Sequence, residues 1–113
     1  MRSDEYRKAL IECLLNKKAD LGGRDDCAQE LARFDDSAVI EALKLVACDE
    51  SEDETILDSA GESLGLIWAR QHEVDSTVFN ALRPVARTTA TQVLEELAPN
   101  LLLGLRRADQ DLE

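Results

Sequence analysis

Residues 61–65 read Gly-Glu-Ser-Leu-Gly, the G-x-S-x-G spacing of a hydrolase nucleophile elbow. In that chemistry Ser63 attacks an acyl carbon from a sharp strand-to-helix turn, and a nearby base takes its proton. The chain has a single histidine, His72. If both residues lie on one helix they stand about 13 Å apart along its axis, too far for proton transfer. A second candidate is Asp49-Glu50-Ser51-Glu52-Asp53-Glu54. Asp49, Ser51 and Asp53 take positions one, three and five of a calcium loop. Glu54 replaces the glycine needed at position six, and Ala60 replaces the glutamate needed at position twelve, so the loop fails where it is strictest. Cys13, Cys27 and Cys48 are odd in number and lack C-x-x-C spacing. With one histidine they do not form a zinc set, and they read as reduced thiols in the core of a cytoplasmic protein. The expectation is no catalytic residue, no metal and no cofactor.

The elements around these residues are predicted to be helical. Leu and Ala outnumber Val and Ile, and only two Pro and five Gly interrupt the 113 residues. Apolar residues recur at three and four: Tyr6, Leu10, Cys13 and Leu14, then Val39, Leu43, Val46 and Ala47. The segment 36–47, DSAVIEALKLVA, matches 75–86, DSTVFNALRPVA, at seven of twelve positions. Residues 3–14 echo the same unit. The intervening segments also correspond: 25–34 aligns with 58–67, pairing Asp25 with Asp58, Cys27 with Ala60 and Leu31 with Leu64. Ala90 and Leu94 continue the series. Two helix types therefore alternate, over 3–18, 24–34, 36–48, 54–71, 75–87, 88–98 and 99–108. Ser3 and Ser37 are expected to cap helix starts, and Gly22-Gly23 to end the first helix. Pro84 starts a new turn or kinks its helix, and Pro99 opens the last one. The predicted fold is one all-α domain over 1–113, a short α-solenoid of about six to seven helices in antiparallel pairs. Within it GESLG is a helical segment, where Gly61 and Gly65 share a face and let a neighbouring helix approach.

Charge bounds the partners. Twenty-four acidic residues face thirteen basic ones, a net charge of −11. Phosphate would be repelled, so neither nucleic acid nor an anionic membrane surface is an expected partner. The start lacks an apolar signal region, and no run reaches the ~18 apolar residues of a membrane span. In alternating helix pairs, every second connection falls on one edge of the stack. Asp25 and Asp26 are expected to mark one such connection, with Asp49, Glu50, Glu52, Asp53 and Glu54 in the next. Acids near helix N-termini favour the helix dipole. Five in six residues exceed that need, so these seven carboxylates are expected to form a binding edge for a basic protein.

The pattern DSAGESLGLI followed by DSTVFNALRPVA resembles HEAT-like repeats over roughly 24–98, with an Ala-x-x-x-Leu-Gly core on one helix and Val-x-x-Ala-Leu on its partner. The usual Arg beside the Val is missing. The resemblance implies a binding scaffold rather than an enzyme. By size, charge and lack of catalytic residues, the chain also resembles bacterial immunity proteins, such as those against contact-dependent growth inhibition toxins. That resemblance implies occlusion of a basic, nuclease-type toxin domain. The alternative is a general HEAT-like adaptor in a larger assembly, which would favour an exposed apolar groove.

Overall fold

The computed structural model describes residues 3–111, with side chains through residue 107. Every regular element in that span is helical: α1 (Ser3–Leu15), α2 (Leu21–Glu30), a 3-10 turn (Leu31–Arg33), α3 (Ser37–Ala47), α4 (Glu54–Gln71), α5 (Ser76–Ala81), α6 (Pro84–Leu97) and α7 (Pro99–Asp111). No described helix is long and apolar enough to cross a membrane.

Several boundaries differ from the expected ones. The first helix ends at Leu15 because Asn16 turns the chain, its Oδ1 accepting the Lys18 amide hydrogen at 3.0 Å. Gly22 and Gly23 therefore lie in the first turn of α2, where Asp20 accepts the Gly23 amide at 3.0 Å, rather than ending α1. Ser37 is the first residue of α3, and the cap position is Asp36. The segment 75–87 is broken: α5 stops at Ala81 and Pro84 opens α6. A proline disfavours helical backbone in the preceding residue, and Arg83 accordingly sits at φ −63°, ψ 155°. Pro84 and Pro99 both occupy first-turn positions, where the missing amide hydrogen costs nothing.

The apolar spacing buries one continuous core. Leu31, Leu64 and Leu94, equivalent in the sequence alignment, are all fully buried, as are Ala60 and Ala90. Leu43 and Leu82 are buried together with Val39 and Val78. Ala81, aligned with buried Ala42, is exposed because α5 ends there. The long helix α4 is central and packs against α2, α3 and α6, while α1 meets α2 and α3, and α7 leans on α6. Two polar links repeat along the α2–α4–α6 series: Ser59 Oγ donates to Asp25, and Thr89 Oγ1 donates to Asp58. The donors and the acceptors are equivalent in the alignment, so the same joint recurs at successive helix contacts.

GESLG lies inside α4. A side-chain carbon added at Gly61 would stand 2.3 Å from the Ala86 carbonyl oxygen, and one at Gly65 would press on Val93. Both glycines let α6 approach α4. Ser63 is 1% exposed and donates to the Ala28 carbonyl at 2.7 Å, which binds α4 to α2. His72 closes α4 in a left-handed conformation, φ 56°. Its amide and that of Glu73 donate to the carbonyls of Ala69 and Trp68, the pairing that satisfies a helix C-terminus.

Candidate functional site

The acidic segment 49–54 connects α3 to α4, and the structure gives its members different work. Asp49 Oδ1 accepts the amide and hydroxyl hydrogens of Ser51 at 2.9 and 2.7 Å, folding the turn on itself. Its Oδ2 accepts from Lys17 Nζ at 2.8 Å. That ammonium and the Ser51 hydrogen bonds hold the Asp49 carboxyl well below the usual carboxylate range. Asp53 caps α4, accepting the Thr55 amide at 2.8 Å.

Glu52 departs furthest from the expected exposed edge. Its side chain is 2% exposed. Arg24 grips it with two parallel bonds of 2.9 Å, Nη1 to Oε1 and Nη2 to Oε2. Lys17 Nζ adds a bond of 2.5 Å, and the Asp53 amide donates at 3.1 Å. Arg24 is itself buried, and its Nε and Nη2 donate to the Leu14 carbonyl at 2.9 and 2.8 Å. One guanidinium thus satisfies the C-terminal end of α1 and anchors the α3–α4 connection. Burial raises the Glu52 pKa, but the hydrogen bonds from Arg24 and Lys17 outweigh it and the net shift is downward. The same bond to Glu52 raises Arg24, against the effect of burial.

Asp25 and Asp26 do not mark a connection. Both lie within α2, and the α1–α2 connection spans 16–20, with Lys17 and Lys18 in it. Asp25 is half-buried and occupied by Ser59 and by Gln29 Nε2 at 3.1 Å. Asp26 is exposed. The Arg24–Glu52 and Asp25–Ser59 bonds bring the two acidic segments to the same side of the molecule.

Glu50 and Glu54 are exposed and make no ion pair among the described residues. They flank a groove of about 260 Å³ with Leu57, Pro84 and Val85 as its apolar lining and Arg83 at its wall. Arg83 was not singled out from the sequence. It reaches this groove because the break before Pro84 places the α5–α6 connection beside the α3–α4 one, where its amide donates to the Ala47 carbonyl at 3.0 Å. The lining therefore combines the carboxylates of Glu50, Glu52 and Glu54 with aliphatic carbon and the Arg83 charge, a mixed surface on which a long amphipathic side chain can lay its stem.

No three His, Cys, Asp or Glu side chains among the described residues are grouped so as to hold a metal ion. No family model, curated protein or solved structure matches the chain.

Proposed function

We propose that this chain is a protein-binding module, and in particular a cytoplasmic immunity protein that neutralises a basic, nuclease-type toxin by covering its active site. The observation that carries the reading is the groove between Glu50 and Glu54 on a chain of net charge −11. A nuclease site is cationic because it grips phosphate, and carboxylates presented at matching places compete for it. Of the seven carboxylates expected at this edge, Asp26, Glu50 and Glu54 are open to a partner. Asp49, Glu52 and Asp53 shape the loop that presents them, and Asp25 joins α2 to α4. The scaffold is read as a short HEAT-like α-solenoid of antiparallel pairs. The order α2–α4–α6 and the recurring Asp25–Ser59 and Asp58–Thr89 joints favour that arrangement.

The adaptor reading is favoured by a different surface. Leu97 is 55% and Leu103 47% exposed. A groove of about 340 Å³ also runs between α7 and the turn after α4, with Val74, Leu101 and Leu105 in it.

The test is recovery of the partner from the source cell with the tagged chain, followed by a nuclease assay. The expected partner is a basic protein whose nucleolytic activity falls to background as the chain reaches one equivalent. A recovered nuclease that keeps its activity at saturating chain, or a neutral or acidic partner, overturns the immunity reading.

A further inference from the structure

Helices α1 and α2 hold two cysteines against each other. Cys13 Sγ lies 3.6 Å from the Gly23 carbonyl oxygen and donates to it. In α2 that carbonyl stands four residues before Cys27, so it is also the acceptor facing the Cys27 amide in the helical ladder. Side chains on a helix lean toward its N-terminus, over the preceding turn. The Cys27 side chain therefore leans toward the turn that Cys13 Sγ touches, so both thiols face the same contact between α1 and α2. Both residues are half-buried and neither is in a disulfide. Cys48, at the end of α3, has Lys44 beside it instead of a thiol.

We propose that Cys13 and Cys27 form an oxidative modification site that reacts with a small disulfide such as oxidised glutathione and reversibly staples α1 to α2. In the first step the Cys13 thiolate attacks one sulfur of the oxidant. A Cys13–glutathione bond forms, the oxidant's disulfide bond breaks, and one glutathione leaves and takes up the proton that Cys13 gave to solvent. In the second step Cys27, after losing its proton, attacks Cys13 Sγ. The Cys13–Cys27 bond forms and the second glutathione leaves as a thiol. The two protein thiols supply two electrons, and the oxidant becomes two thiols. Burial, with the neighbouring Cys13 thiol adding to it, pushes Cys27 up to about 12, which makes Cys27 the resolving rather than the attacking group. Closure is therefore slow near neutrality and accelerates as pH rises. The site stands independently of the binding reading.

The experiment treats the native full chain with oxidised glutathione, quenches with acid, blocks free thiols and maps tryptic peptides. The expected product links peptide 9–17 to peptide 25–33, with the loss of two hydrogens. Cys48→Ser is expected to leave that link intact, and Cys13→Ser to abolish it. The thermal midpoint is expected to rise by roughly 10 °C, because the crosslink removes the closure entropy of a loop of about 15 residues from the unfolded chain, and to return on reduction. Separate glutathione adducts on Cys13 and Cys27 that persist at alkaline pH would overturn the proposal. So would a link through Cys48, a link formed only in denaturant, or no reaction.

Discussion

Arg24 and Glu52 show how a charge can leave the surface without being lost. A buried ion pair is stable only when desolvation is repaid by close, saturated geometry, and here the carboxylate receives four donors while the guanidinium also serves the end of α1. Removing Arg24 leaves Glu52 buried with only Lys17 and the Asp53 amide, and removing Glu52 leaves the guanidinium charge buried with only the Leu14 carbonyl. Arg24→Ala is expected to cost about 3–5 kcal/mol, read from urea unfolding. The pH dependence follows from the downward shifts of Glu52 and Asp49. A carboxylate with a depressed folded-state pKa stabilises the fold fully above its unfolded value, and that contribution disappears as pH falls through the folded value. Stability is thus expected to hold above about pH 5 and to fall progressively below about pH 4. Glu52→Gln should flatten that fall as well as lower the plateau. An unchanged acid profile in Glu52→Gln would mean that the pair does not contribute as drawn.

Among the elements, α4 and α6 depend on the absence of a side chain. Gly61 faces the Ala86 backbone, which cannot rotate away, so Gly61→Ala must separate the helices. The expected cost is about 3 kcal/mol, since overpacking against backbone exceeds any gain in helix propensity. Gly104, in α7, has nothing within 4 Å of an added carbon. There the same substitution only removes glycine's disadvantage in a helix, and Gly104→Ala is expected to stabilise by about 1 kcal/mol. Thermal unfolding of the two variants separates the causes, because propensity alone would move both upward. The contact itself depends on the break in the second copy of the 36–47 unit. Ala86 aligns with Ala47, the last residue of α3, yet the turn before Pro84 assigns it to α6, where it meets Gly61.

At the scale of the whole molecule, net charge acts over distance and the groove acts at contact. A chain of −11 attracts basic proteins generally, but the exposed carboxylates nearest the proposed docking site would dominate steering. Asp26→Asn, Glu50→Gln and Glu54→Gln together remove three exposed charges and no hydrogen bond that the fold uses. Their thermal midpoint is expected to match the parent, or to exceed it where like charges repelled. Association with the proposed basic partner is expected to slow by about tenfold or more at low salt and to lose most of its salt dependence. The readout is the association rate against ionic strength. Superimposable curves would take this edge out of the interface.

Helicity and the core leucines were legible in the chain because each follows from local spacing. Apolar residues at three and four mark a helix face whatever lies opposite, and repeated units place equivalent residues such as Leu31, Leu64 and Leu94 alike. GESLG was legible as helix for the same reason, since its two glycines share a face. The fate of the carboxylates was not legible. Asp49, Glu50, Glu52, Asp53 and Glu54 are one acidic run, broken only by Ser51, to a reader of sequence, and nothing in their spacing distinguishes the buried one. Packing brings Arg24, twenty-eight residues away, beneath Glu52, and Lys17 beside Asp49 and Glu52. Partners so distant in the chain meet only when α2 lies against α4. The break at Leu82-Arg83-Pro84 then brings Arg83 to the wall of the groove. Local propensity therefore determined which segments are helices, and long-range contact decided which of their charges remain available to a partner.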